Sequence, residues 1–276
     1  MTDMHPFVQK RFYNMEQKSF FMIGAGNVGW HMAKAMNNAG YRPKGIYSLH
    51  KENAEALAQS IGCNAYNNLR EIPEEADIYI ISVKDDAISE IAKQIEKKTS
   101  RSLLLHTAGS VDINVLENHA YQWGVLYPMQ TFSKHRHVDF NDVNLFAEGC
   151  NAETERDIIS IAERISAKKC MVLSSEKRKR LHLAAVFASN FVNHCYTIAK
   201  QQAEIAGCNF EVLLPLIEET CKKVHDLTPE EAQTGPALRN DRKIIEMHET
   251  MMQGDILNIY KAISESIFKS TQVHNC

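Results

Sequence analysis

The sequence predicts an α/β fold: a doubly wound parallel sheet followed by an all-helical C-terminal part. Three observations predict it. A glycine-rich turn joins a strand to a helix near the front, strand and helix signals alternate through the first half, and strand signals stop after Leu173. Strands separated by short helices pair in parallel, because each crossover helix carries the chain back to the starting end of the sheet.

The first strand is the apolar run Ser19-Phe20-Phe21-Met22-Ile23. Gly24-Ala25-Gly26-Asn27-Val28-Gly29 follows, then a helix with Val28, Met32, Ala35, Met36 and Ala39 on one face. Strand, Gly-x-Gly-x-x-Gly, helix is the dinucleotide-binding fingerprint in its required context. Gly24 permits the tight turn, Gly26 lets backbone approach a pyrophosphate, and Gly29 lets the helix pack close. The free N–H groups at the helix start, from Asn27 and Val28 onward, then hold phosphate charge.

Further strands are expected at 45–48, 76–83, 102–106, 124–127, 144–148 and 170–173, and helices at 51–61, 87–97, 112–119 and 153–167. Beyond them Ser174 and Ser175 can cap a helix running from Glu176 to about Ala206. From Leu181 to Ala199 it is apolar on nearly every face, which predicts a buried central helix. Its opening run, Lys177-Arg178-Lys179-Arg180, reads as a solvated first turn. Asn209 can cap a second helix that reaches about Leu227, with Pro215 early in it. Thr228-Pro229-Glu230-Glu231 supplies a cap, a first-turn proline and a capping-box Glu. Two more helices are expected at 241–252 and 255–268, the latter with Ile256, Ile259, Tyr260, Ile263 and Ile267 on one side. The chain thus divides into a dinucleotide-binding domain, 1–173, and an all-helical substrate and dimerisation domain, 174–276.

Length and composition agree with two domains: 276 residues, of which 44% are hydrophobic. A net charge of −3 offers no electrostatic case for nucleic acid or an anionic membrane. Residues 1–18 lack the apolar core of a secretory signal. The longest apolar stretch, 181–192, is too short to span a bilayer and carries His182, Ser189 and Asn190. Seven scattered cysteines, at 63, 150, 170, 195, 208, 221 and 276, contain no Cys-x-x-Cys and fit reduced thiols in a cytoplasmic protein. His135-x-His137-x-Asp139 lacks a fourth ligand, so no metal site is expected.

The second strand's end selects the cofactor. In the NAD version an Asp or Glu there binds the ribose 2′-hydroxyl. Here the run is Ser48-Leu49-His50-Lys51, whose hydroxyl and potential cations suit a 2′-phosphate and so NADP; Glu52, nearby, argues for the ribose of NAD. The other strand ends complete the cleft. Ser82-Val83-Lys84-Asp85-Asp86 and His106-Thr107-Ala108-Gly109-Ser110 place Val83, Lys84, His106, Thr107 and Ala108 beside a cofactor, while Asp85 or Asp86 can equally cap a helix.

With these segments placed, the chain from about Phe20 to Phe268 resembles a bacterial family of Rossmann-like proteins with a helical C-terminal domain of unknown function. That family is similar to deazaflavin-dependent NADP oxidoreductase and, more distantly, to pyrroline-5-carboxylate reductase. The resemblance rests on His106-Thr107-Ala108-Gly109-Ser110, Tyr127-Pro128-Met129-Gln130-Thr131-Phe132, the run His182-Leu183-Ala184-Ala185-Val186-Phe187-Ala188-Ser189-Asn190, and Thr234-Gly235-Pro236-Ala237-Leu238-Arg239-Asn240-Asp241. It implies a dinucleotide-binding, dimeric oxidoreductase and supplies no substrate. Two departures stand out: Tyr127 replaces a usual His before the proline, and Asn240 replaces a usual Gly. Val186 stands where the related beta-hydroxyacid dehydrogenases carry a catalytic lysine four residues before Asn190.

Hydride transfer to a carbonyl or imine needs a protein group that exchanges one proton. His182 suits that task because imidazole titrates near neutral pH. On the helix, His182 and Ser189 are seven apart and share a face; Asn190 and His194 are four apart and share the adjacent one. Ser189 and Asn190 would orient the substrate, while Asn193 and His194 read as a satisfied core network; the same network reading is open for all of them. Arg239, after the rigid Gly235-Pro236, could grip a carboxylate bidentately, or pair with Asp241 or a neighbouring helix. Two functions fit: a cytoplasmic, homodimeric NADP-dependent oxidoreductase of a small carbonyl or imine substrate, with His182, Ser189, Asn190 and Arg239 as site residues, or a non-catalytic NADP-binding sensor or scaffold acting through its helical domain.

Overall fold

The computed structural model describes residues 17–273, so the absence of a signal in 1–18 and the reading of Cys276 fall largely outside the described residues. An eight-stranded sheet runs β3-β2-β1-β4-β5-β6-β7-β8. Its strands are β1 (Ser19–Ile23), β2 (Arg42–Tyr47), β3 (Ala65–Tyr66), β4 (Ile78–Ile81), β5 (Leu103–His106), β6 (Gln122–Met129), β7 (Asn144–Gly149) and β8 (Met171–Val172). The class is α/β, with the Rossmann-type centre and a helical C-terminal region. Strands β1, β4 and β5 are buried along their whole length, as strands must be when helices cover both faces. Alternate residues divide between two cores, Phe20, Met22 and Ile80 on one side and Phe21, Ile23 and Tyr79 on the other.

One pairing departs from the parallel expectation. β6 and β7 are antiparallel, with Tyr127 opposite Phe146. The link between them holds only a short 3-10 turn, Phe140–Asp142, and a strand that turns back needs no crossover helix.

The covering helices are α1 (Asn27–Asn38), α2 (Lys51–Ile61), α3 (Ile88–Thr99) and α4 (Ala152–Ile165). The helix expected at 112–119 is only a 3-10 turn, Ile113–Leu116. Asp112 accepts the Asn114 N–H at its start and Asn118 takes a left-handed φ of 67° just past its end, so no further turn forms.

After the sheet comes α5 (Ser175–Ala185), a π-helical stretch Val186–Phe191, and α6 (Val192–Ile205). The last strand ends at Val172, whereas the two compact units divide between Ser189 and Asn190. The second unit holds α6, α7 (Leu214–Asp226), α8 (Pro229–Ala232), α9 (Arg242–Thr250) and α10 (Gly254–Val273). Thr228 and Glu231 close the capping box read from sequence, and inside this unit His248 Nδ1 meets Tyr260 Oη at 2.9 Å.

The central helix is not buried as expected. Leu183, Phe187, Phe191 and Val192 are all exposed, although the stretch is apolar on nearly every face. Among the described residues no helix is long and apolar enough to cross a membrane, and the six described cysteines are free thiols.

Candidate functional site

The turn after β1 is built for close backbone approach. Gly24 sits at φ +108°, its N–H donates to Tyr47 O at 2.8 Å, and a Cβ there would overlap the Ser82 carbonyl. A Cβ on Gly29 would overlap the Gly24 carbonyl. Gly26 differs: a Cβ there would meet nothing within 4 Å. The open space lies at the start of α1, whose cap residue gives no side-chain hydrogen bond and whose first turn has no acidic residue. Unsatisfied N–H groups facing open space without a competing carboxylate suit a pyrophosphate.

At the end of β2, Ser48 is buried, and its N–H donates to Tyr66 O at 3.1 Å. His50 and Lys51 are exposed; His50 lies 3.9 Å from Glu52, and Lys51 pairs with Glu55 at 3.4 Å. Glu52 and Glu55 thus both point at the cationic groups expected to meet a 2′-phosphate.

The ends of β4 and β5 are tied together by the Ser110 hydroxyl donating to Asp85. Lys84, not Asp85 or Asp86, occupies the cap position of the 3-10 turn Asp85–Ala87, so neither aspartate acts as the helix cap that the sequence allowed. Val83 is half-buried and packs with Ala108 against the core around β4 and β5, with Thr107 buried between His106 and Ala108. His106 itself is fully buried. Its Nδ1 accepts the Ala108 N–H at 3.2 Å, which leaves the proton on Nε2, and Nε2 has no partner among the described residues. Burial, and then the Arg178 guanidinium, push the imidazole down to about 3, so it is neutral.

His182 reaches this same wall. Its Nδ1 is 3.1 Å from Tyr127 Oη, with the two rings edge to face. Gly109 makes the approach possible, since a Cβ there would stand 2.6 Å from His182 Nδ1 and 2.9 Å from Tyr127 Cζ. Burial raises the Tyr127 phenol above its ordinary value, so it stays protonated and can share its hydroxyl with the imidazole. Tyr127 was absent from the sequence-derived site, which noted it only as a departure from a usual His before the proline; it lies 55 positions from His182.

Arg178 overturns the reading of 177–180 as a solvated turn. It is 1% exposed and ion-pairs with Glu148. It also donates to Val111 O and, at 3.2 Å, to Ser175 Oγ. Glu148 accepts the Ser175 N–H and hydroxyl at 2.7 and 2.8 Å. Ser175 and Arg178 lie three apart and so share the helix face that packs on β7. Only Lys179 of this run meets a loop acid, Asp112, at 3.0 Å near the surface.

Ser189 is half-buried and Asn190 exposed. The π-helical stretch adds a residue to its turn, so the seven-residue spacing from His182 to Ser189 does not return to one face as it would in an α-helix. Asn193 and His194 are exposed, not members of a core network. In the second unit Arg239 is exposed and forms no ion pair among the described residues. Asp241 instead caps α9 through the Ile244 N–H at 3.3 Å, which removes the intrachain pairing considered for Arg239. Asn240 takes the left-handed φ of 52° that the usual glycine would hold. Among the described residues no group of three potential ligands could hold a metal ion.

Residues 18–104 match the model of an oxidoreductase family with an NAD-binding Rossmann fold, and residues 143–267 match that of a domain of unknown function, DUF2520. A proposed NADP oxidoreductase from Bacteroides fragilis is 41% identical, with a TM-score of 0.87 over 92% of this chain and 98% of its own. A protein from Thermotoga maritima is 21% identical, with a TM-score of 0.68 over 93% of this chain and 100% of its own. A pyrroline-5-carboxylate reductase from Coxiella burnetii is 15% identical, with a TM-score of 0.57 over 93% and 98%. The last two share the fold. No protein with a curated description matches the chain.

Proposed function

We infer that this chain, which belongs to the same family as the Bacteroides fragilis protein and joins a Rossmann domain to DUF2520, is an NADP-dependent oxidoreductase of a small carbonyl or imine substrate. The observation that carries this reading is the His182–Tyr127 pair seated on Gly109, in the segment that leaves β5. A titratable pair at a strand's carboxyl end is where a Rossmann protein needs a proton donor.

In this reading Gly24, Gly26, Asn27, Val28 and Gly29 receive the pyrophosphate, and Ser48, His50 and Lys51 receive the 2′-phosphate. Val83, Lys84, His106, Thr107 and Ala108 line the nicotinamide end. NADPH, when bound, supplies a hydride from nicotinamide C4. His182 exchanges the substrate's proton and is held in place by the Tyr127 hydroxyl. The buried, neutral His106 keeps this wall free of positive charge that would oppose an oxidised nicotinamide. Ser189 and Asn190 orient the carbonyl or imine, and the unpaired Arg239 binds a carboxylate through its planar fork.

Homodimerisation is part of the proposal, supported by exposed Leu216, Val224, Met247 and Met251 on the helical unit. Free thiols and the lack of a membrane-crossing helix among the described residues support a cytoplasmic setting. A turnover screen with NADPH against small keto acids, cyclic imines and deazaflavin, run beside NADPH and NADH titrations, tests the whole. Turnover of a carbonyl or imine, lowered in kcat by His182→Ala and raised in KM by Arg239→Ala, is expected. Tight NADPH binding with no turnover on any class would replace the enzyme by a sensor.

A further inference from the structure

A cavity of about 490 Å³ lies along α1 on the side of α4 and the loop that follows β6. It takes no part in the function proposed above. Trp30 and Lys34, one helical turn apart on α1, form one wall; Lys134 and Arg136 from the loop, and Arg164 near the end of α4, form the rest. None of these four cations makes an ion pair among the described residues, in a chain whose net charge is −3. The one acidic residue in the lining, Asp139, directs its carboxylate at the Asn141 N–H, 3.0 Å away, to cap its own turn.

Lys34, Lys134 and Arg164 are held at fixed points and keep donors to spare, while the Arg136 side chain is exposed. Lys34 Nζ stands 4.5 Å from the Trp30 ring centre, and Lys134 Nζ 5.9 Å from it. Lys134 Nζ also donates to Asn53 Oδ1 at 2.8 Å, while its N–H donates to Asn27 Oδ1 at 3.3 Å. Arg164 donates to Ala39 O at 3.2 Å and lies over the Tyr41 ring, 4.8 Å from its centre, with a further bond to the Tyr41 phenol. His31 braces the loop through Ser133 O at 2.9 Å and stacks on Phe132. A lysine has three donors and an arginine five, so each retains capacity for a ligand.

Uncompensated like charges around one concave space repel one another unless an anion joins them. Two arginine forks and two lysines match several oxygens carrying more than one negative charge, which is the chemistry of phosphate esters. We propose that this cavity is a second binding site, separate from the dinucleotide turn, for a small organic phosphate held by Lys34, Lys134, Arg136 and Arg164 against Trp30.

Inorganic pyrophosphate is the probe. It is titrated calorimetrically into protein saturated with NADP+, and into protein without it, so that the dinucleotide turn is filled in one arm. One equivalent is expected to bind in the saturated arm, with Trp30 fluorescence changing in step and the change lost in Trp30→Phe. Lys34→Gln with Arg136→Gln should weaken it by about tenfold or more, while the NADP+ dissociation constant and the melting temperature stay as in the parent. If NADP+ itself fails to bind, the variant-sensitive pyrophosphate site is still read in the arm without it, so the two readings fail separately. No pyrophosphate binding up to millimolar concentration, or binding undiminished in the double variant, overturns the proposal.

Discussion

The Tyr127 hydroxyl and His182 Nδ1 share a hydrogen bond of 3.1 Å, which ties the orientation of the imidazole to the phenol. Tyr127→Phe keeps the ring and removes that bond. Folding stability should fall by about 0.5–1.5 kcal/mol. In a turnover assay kcat should drop and its pH profile shift, while NADPH affinity holds. A variant with an unchanged pH profile would make Tyr127 a packing residue only.

Gly24 and Gly26 separate folding from binding. Gly26→Val places its side chain in open space, so stability should stay within about 1 kcal/mol while binding of either dinucleotide is lost. Gly24→Ala forces a Cβ onto the Ser82 carbonyl at φ +108° and should cost roughly 1–3 kcal/mol of stability. Nucleotide titration beside thermal melting distinguishes the two. Equal destabilisation by both would refute the assignment of Gly26 to the ligand.

Arg178 and Glu148 form a buried ion pair whose halves depend on each other. Removing the cation alone, in Arg178→Met, leaves a carboxylate among buried groups and should cost about 3–5 kcal/mol. Adding Glu148→Gln keeps an acceptor for the Ser175 N–H and should return a large part of that loss. Denaturant midpoints of both variants and the double give the coupling directly.

His106 makes stability depend on acid. The imidazole titrates at 6.5 in the unfolded chain and is pushed down to about 3 by burial in the fold. Between those values the unfolded chain takes up a proton that the folded one refuses. Stability therefore falls as pH drops from 6.5 towards 3, by up to about 1.4 kcal/mol per pH unit from this group. Melting temperatures across that range should show a shallower acid limb in His106→Asn, and an identical limb would mean that another group sets it.

What the sequence revealed follows from which forces are local. β1 and α2 fall at their expected residues, because a short apolar run and a 3.6-residue stripe are written in neighbouring positions. The antiparallel turn of β7 was not legible, since an apolar strand looks the same in either direction. Arg178 hid in a basic run because its partner, Glu148, sits 30 positions away on another element. The exposure of Phe187 and Leu183 was equally hidden: apolar side chains report that something covers a helix, not whether it is the same chain. The Gly-rich turn announced the dinucleotide end, whereas the sequence marked Tyr127 only as a replaced His, and its pairing with His182 beside Gly109 shows in the fold alone.

The two-residue strands β3 and β8 stand at the outer edges of the sheet. A long bare edge would offer a ladder of backbone groups to any passing strand, and two residues offer almost none. The outermost strands of the native sheet therefore give crowded copies of this protein little template for adding strand upon strand.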